Sequence, residues 1–325
     1  MYKNYNIYFA MECSQDFVSD INCQYNIESN IQQDQLFVEQ FAKENPQYNI
    51  FYFSKNKLFD NFTWISNVYD ADIVILKTSM FDNFSKNTFS NVILLVDDLD
   101  NLLKSLVYLY QNISGYLDIS LSDNFDKNLL YNILDDYSIF VSEQISSGNF
   151  TYVKQLTSFF NEEKFSSFGE NSVFVSPDNS VYYHPSFYWS GNKTGYIGNI
   201  KDFFFSESLV HSSRPHIVCH SCETFYCNRS IYSNKIETGE LKVPSFSECK
   251  KTTIFTIFSK RIFNNIQDNI SLNEFEILDR LDTKFDAEIE FHKIENNLIL
   301  TNKIKGIHFN YVEIAKENID WNSKK

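Results

Sequence analysis

Short apolar runs alternate with longer stretches of helical periodicity through the first 160 or so residues. Asn6–Ala10, Tyr48–Phe53, Asp72–Leu76, Val92–Val96, Leu117–Leu121 and Ile139–Val141 read as strands. Several are nearly continuous in apolar residues, as expected of strands covered on both faces. Between them, Asp34–Lys43 reads as a helix, and Leu99–Tyr110 carries Leu99, Leu102, Leu103, Leu106, Val107 and Tyr110 at helical spacing. Asp97, Asp98 and Asp100 stand at its start, where carboxylates favour the positive end of a helix dipole. A βα series of this kind predicts an α/β fold with parallel strands.

The texture changes near residue 166. Ser172–Val175 and Val181–Tyr183 flank Ser176-Pro177-Asp178-Asn179-Ser180, a turn sequence that predicts a hairpin. Arg214–Glu248 has little periodicity. An irregular stretch that long inside a compact protein needs something besides apolar packing to fix it. Beyond it, the pattern predicts a helix over Leu272–Phe285 and a hairpin of Glu288–Lys293 with Leu298–Lys303. Three units are expected: a βα-repeat domain over 1–165, a cysteine-rich region over 166–262, and a small α+β C-terminal extension over 263–325.

Composition narrows the function. The net charge of −14 opposes a phosphate-tracking surface, so no nucleic-acid partner is expected. The N-terminus has neither a secretion signal nor an apolar run long enough to span a bilayer, which gives a cytoplasmic protein with no membrane partner as the expectation. Six cysteines in that setting are thiols or metal ligands rather than disulfides. Cys219, Cys222, Cys227 and Cys249 follow the pattern C-x2-C-x4-C-x21-C, in which two closely spaced thiolates reach one ion and two more complete a tetrahedron. Zinc is the first expectation and a [4Fe-4S] cluster the alternative, since both take four thiolates. Cys13 and Cys23 read as ordinary thiols. His184, His211, His216 and His220 lie near the cysteine stretch, and His184 is the candidate fifth ligand.

These residues carry a resemblance. Cys219-His-Ser-Cys222-Glu-Thr-Phe-Tyr-Cys227-Asn-Arg229, Asn234-Lys-Ile-Glu-Thr238-Gly-Glu240 and Pro244-Ser245-Phe-Ser-Glu248-Cys249 resemble the cysteine-rich C-terminal part of the CXXX repeat peptide maturases. Upstream, Ser176–Tyr188 and Ile197-Gly198-Asn199 are similar to that family's preceding hairpin and short motif. The family is related to the SPASM regions of radical-SAM peptide-modifying enzymes. The specific similarity covers roughly Val173–Arg261, and the N-terminal half is similar only in layout. The resemblance implies a partial radical-SAM-like barrel, or an open parallel sheet, followed by a SPASM-like metal-binding region. It also implies a precursor peptide as partner, with a modification enzyme as a second one.

Two positions depart from the family pattern, which has cysteines where this chain has His184 and Ser230. The C-x3-C-x2-C triplet that holds the radical-SAM cluster is absent, as are phosphate-binding glycine loops, a nucleophile elbow and an H-E-x2-H zinc site. The expected function is therefore a component of ribosomal peptide maturation that binds or presents a precursor. An iron–sulfur redox enzyme acting on peptide side chains and a zinc-stapled protein-binding module are the alternatives. Whether the chain is itself an enzyme is left open, with Glu12, Asp97 and Asp98 read as surface or capping acids rather than catalysts.

Overall fold

A computed structural model describes residues 5–11, 32–121, 125–158, 172–202, 227, 230–241 and 243–266, and the backbone of 267–269, 289–294, 297–304 and 307–314. Seven strands follow one another in the first half: β1 (Tyr5–Ala10), β2 (Tyr48–Phe53), β3 (Thr63–Ser66), β4 (Ile73–Lys77), β5 (Asn91–Val96), β6 (Tyr116–Leu121) and β7 (Tyr152–Val153). All are parallel neighbours in sequence order. The helices among them are α1 (Gln35–Glu44), α2 (Phe81–Phe84), α3 (Leu102–Asn112) and α4 (Lys127–Ser146).

The second half returns to the same sheet. Strand β8 (Ser172–Val175) lies parallel to β1 on the edge away from β2, and β9 (Ser180–Tyr182) and β10 (Tyr196–Asn199) extend it antiparallel. The predicted hairpin is therefore present. At its turn, Asn179 takes a positive φ of 66°, a conformation asparagine tolerates. Its carbonyl accepts the Ile200 amide, and its Oδ1 accepts Gln33 Nε2 at 2.8 Å, tying the hairpin to the chain ahead of α1.

Alternation along the strands separates two faces of the sheet. Ile7, Phe9, Ile50, Tyr52, Val74, Leu76, Val92, Leu94, Leu117 and Ile119 pack against α1, α3, α4 and α7 (Phe246–Asn269) in one cluster. Phe53, Ile65, Ile73, Ile75, Leu95 and Phe174 point the other way into a second cluster, which α5 (Pro185–Trp189) and α6 (Ile231–Thr238) help to cover. Long helices on one face and strands in sequence order describe a singly wound sheet, not a doubly wound one.

The sheet also curls. Tyr8 on β1 and Tyr116 on β6 are five strands apart, about 24 Å along a flat sheet at the usual strand spacing. Both pack on the second cluster, and Tyr8 is close enough to push the Tyr116 phenol up further than burial and Asp118 do.

Three expectations are corrected. Ile139–Val141 is not a strand: it lies within α4, whose buried residues Leu130, Ile133, Leu134, Tyr137, Val141 and Ile145 keep helical spacing behind an Asp126 N-cap. Strand β3 is too short to announce itself in the apolar pattern and adds to the predicted set. Nor does the acidic run cap α3, which starts at Leu102 behind Asn101, while Asp98 accepts the Asp100 amide and Asn101 Nδ2 in the preceding turn. The predicted helix over Leu272–Phe285 lies outside the described residues. The C-terminal hairpin is present as β11 (Ile289–Ile294) and β12 (Asn297–Ile304), with β13 (Ile307–Ile314) added antiparallel to it.

Helix α7 crosses residue 262 without a break and packs along α4. Phe258 meets the Tyr131 ring edge-on at 4.7 Å, Arg261 pairs with Asp135, and Ser259 Oγ donates to the Leu156 carbonyl at 2.8 Å. Phe258 is fully buried. Phe258→Ala is expected to cost about 3–5 kcal/mol of stability, read as a lower denaturation midpoint at unchanged slope.

Candidate functional site

The face of the curled sheet that lacks long helices is aromatic and only partly covered. Tyr8 and Phe51, register partners on β1 and β2, stack with ring centroids 4.5 Å apart. Strand β6 turns Tyr116, Asp118 and Ser120 to this side, each half-buried, and Leu117, Ile119 and Leu121 to the helices. Asp118 is the charged group here. Its Oδ2 accepts Lys154 Nζ at 2.7 Å and its Oδ1 accepts Gln155 Nε2 at 2.6 Å. Gln155 also bonds both the amide and the carbonyl of Ile119, so the residues following β7 lock onto β6. The carboxylate and ammonium are 21% and 13% exposed. Sequence reasoning passed over Asp118, Lys154 and Gln155, although the strict alternation of Tyr116-Leu-Asp-Ile-Ser-Leu121 carried the signal.

A second polar group lies at the carboxyl ends of β4 and β5. Asp97 accepts the Ser79 hydroxyl at 2.7 Å, the Ser79 amide at 2.9 Å and the Thr78 hydroxyl at 3.0 Å. Burial pushes its pKa up, but these hydrogen bonds outweigh it and hold the carboxyl below its usual range. It serves as a clamp between two strand ends. Glu12 lies outside the described residues.

The cysteine region docks at the neighbouring strand end. Cys249 is exposed in the first turn of α7, and Thr252, one turn on, donates its hydroxyl to Cys227 Sγ at 3.6 Å. The structure therefore places Cys227 against α7, one turn on from Cys249. On the same stretch of α7, buried Glu248 pairs with Lys251 at 2.5 Å, and Lys251 Nζ also reaches the Leu121 carbonyl of β6 at 3.4 Å. Lys250 lies 5.3 Å over the Phe125 ring just past β6. Cys219 and Cys222 lie outside the described residues, as do Cys13, Cys23, His211, His216 and His220. Among the described residues, no three of His, Cys, Asp and Glu are grouped as a metal site.

His184 has a different task. Its Nδ1 accepts the Ser186 amide at 3.1 Å as the N-cap of α5, and its ring lies over Tyr232 of α6, centroids 6.1 Å apart. Ser230, the other position where the resembling family carries cysteine, caps α6 by accepting the Ser233 amide at 3.2 Å. Both departures thus stand at helix N-caps, where an acceptor side chain is favoured. Burial pulls the His184 pKa down to about 3. Accepting at Nδ1, the neutral ring carries its proton on the other nitrogen, an arrangement that suits a cap.

The chain matches no family profile, and none of the curated proteins is a match. Among solved structures, hexahistidine-tagged anSMEcpe with bound AdoMet superimposes with a TM-score of 0.51 at 12% identity, over 86% of this chain and 99% of that one. The likeness is one of fold. Two further structures of native anSMEcpe with bound AdoMet, holding the Cp18Cys and Kp18Cys peptides, give TM-scores of 0.47 and 0.45 at 11% and 12% identity. They cover 81% and 82% of this chain, and 99% and 100% of theirs. Among the described residues, no helix is long and apolar enough to cross a membrane.

Two outcomes are expected. Removing Asp118 takes away the carboxylate bound to a largely buried ammonium, so Asp118→Ala should destabilise the fold by about 3 kcal/mol, while Asp118→Leu combined with Lys154→Met should recover most of the loss in chemical denaturation. The folded pKa of His184 lies below its ordinary 6.5, so its stabilisation is present above about pH 6.5 and drains away as pH falls toward 3. His184→Asn, which keeps a capping acceptor, should therefore show a shallower fall in melting temperature between pH 7 and pH 4.5.

Proposed function

We propose that this chain is a cytosolic component of ribosomal peptide maturation, binding a precursor peptide across the aromatic face of its partial barrel. In this reading, Cys219, Cys222, Cys227 and Cys249 hold an iron–sulfur cluster. The observation that carries it is the seat of the cysteine helix: the α7 turn bearing Cys249, with Cys227 against it, is fastened to the carboxyl end of β6. Carboxyl ends of parallel strands are where α/β barrels keep their sites. Asp118 stands on the same strand, paired with Lys154 just past its neighbour β7.

The donor set fits such a cluster. Four thiolates suit it, and the Thr252 hydroxyl supplies a hydrogen bond to the Cys227 sulfur. His184 stands outside the ligand set because its accepting nitrogen already caps α5. When bound, the cluster would supply one-electron chemistry. The chain's own residues would bind and orient the peptide, with Tyr8, Phe51 and Tyr116 offering flat apolar surface and the Asp118–Lys154 pair offering polar contacts.

The cluster displaces zinc as the favoured occupant because the fold neighbour is a protein with bound AdoMet, a cofactor that radical-SAM enzymes use beside iron–sulfur clusters. This chain lacks their C-x3-C-x2-C triplet, so AdoMet cleavage would fall to a partner enzyme. The zinc-stapled presenting module is the second reading, supported by the same four thiolates.

Anaerobically purified protein is expected to be brown, with about four irons per chain, and Cys227→Ser should lose both colour and iron. Colourless protein with one zinc per chain would replace the cluster by the staple. A precursor encoded beside this chain should bind at tens of micromolar or tighter, and no binding in that range would overturn the peptide reading.

A further inference from the structure

The two edges of the sheet are finished differently. At one end β7 is short, buried and closed by its own chain: the Val153 amide donates to Thr157 Oγ1 at 2.9 Å, and the Val153 carbonyl accepts the Thr157 amide at 2.8 Å. At the other end lies β10, and among the described residues no strand pairs with its outer side. An open edge offers unpaired amides and carbonyls, and proteins usually cover or blunt it.

Hydrogen bonds within the hairpin determine which groups face out. Ser180 is the register partner of Asn199, yet its amide donates to Asp178 Oδ1 at 3.1 Å and its carbonyl accepts the Ser176 amide at 2.9 Å. Neither is turned to β10. One residue on, the Ile200 amide donates inward to the Asn179 carbonyl at 2.9 Å. Backbone groups alternate in direction along an antiparallel pair, so Asn199 turns both its amide and its carbonyl outward. Gly198 beside it stands at φ +147°, and a Cβ built there would meet nothing within 4 Å, which leaves this backbone open to close approach. Tyr196 is 49% exposed and meets Tyr182 edge-on at 5.8 Å, so the ring surface of the second cluster continues out to this edge.

We infer that the outer edge of β10 takes an extended segment of the precursor peptide by strand addition, centred on Asn199, an inference that rests on the function proposed above. An amide and a carbonyl presented side by side by one residue are complementary to another extended backbone. The run of rings from Tyr182 to Tyr196 lets one peptide lie on the aromatic face and reach the edge with its flanking segment. A second copy of this chain is the poorer occupant. A four-residue strand buries far less than the roughly 1,200 Å² of a stable interface, and each molecule carries a net charge of −14.

The test is amide hydrogen exchange of the full chain, free and saturated with the precursor encoded beside it. The Asn199 amide is expected to exchange readily in the free chain and to slow by about tenfold or more in the complex, while amides of β4 and β5 stay unchanged. Two variants separate backbone from side chain. Asn199→Pro removes the outward donor and should weaken precursor binding about tenfold, whereas Asn199→Ala keeps that donor and should bind as the parent chain does. Both lose the side-chain bond to the Lys201 amide, so an equal defect in the two would overturn the inference. Precursor binding with Asn199 exchange unchanged would overturn it too and leave the proposed function standing, whereas absence of precursor binding would overturn both. Protection of Asn199 that rises with protein concentration in the absence of precursor would overturn it in favour of a second copy.

Discussion

The unequal covering of one parallel sheet is the constraint on which the rest depends. Strands side by side and in sequence order send their crossover helices to one face, and residues directed there must be apolar and tightly packed. The opposite face receives only short helices from the second half, and curling draws its two sides together. Rings can fill that concave space without closing it, and the polar side chains of β6 tolerate it because Lys154 and Gln155 satisfy Asp118 there. The alternation that makes the fold therefore also makes the candidate site.

The helix that carries Cys249 joins this core through its apolar face, and its first turns add a polar contact to the end of β6. Glu248 and Lys251 lie one turn apart on α7, both largely buried, and the lysine leans to a carbonyl at the end of β6. A buried pair of this kind contributes little net stability but fixes position sharply. Its neighbours in sequence are Cys249 and Thr252. Cys249 is consequently held near the end of the strand that carries Asp118.

Strands with strong apolar runs such as β4 and β5 were legible in the sequence because both faces are largely buried, and β6 by its strict alternation. Ile139–Val141 misled for the same reason: three apolar residues in a row carry no period, and the helix around them shows only across the twenty residues behind Asp126. The site was harder. Cys227 and Cys249 are conspicuous by type, and the structure sets Cys227 against α7 one turn on from Cys249, whereas Asp118 and Lys154 are common residues 36 positions apart that only sheet pairing unites. His184 and Ser230 were read against a cysteine template as lost or substituted ligands. Their backbone partners make them caps, which spacing alone could not distinguish.

The place of β1 in the middle of the sheet bears on how the chain is made. Its outer edge is completed by β8, whose last residue is Val175, so the first strand synthesised waits for a segment more than 160 residues downstream. At ordinary translation speeds that interval lasts roughly ten to thirty seconds, far longer than local helix or hairpin formation. Throughout it the nascent chain displays a central apolar strand with one row of amides and carbonyls unpaired, which is a template for wrong neighbours. Production of the protein should accordingly depend on how the ribosome-bound half is shielded, independently of how stable the finished fold is.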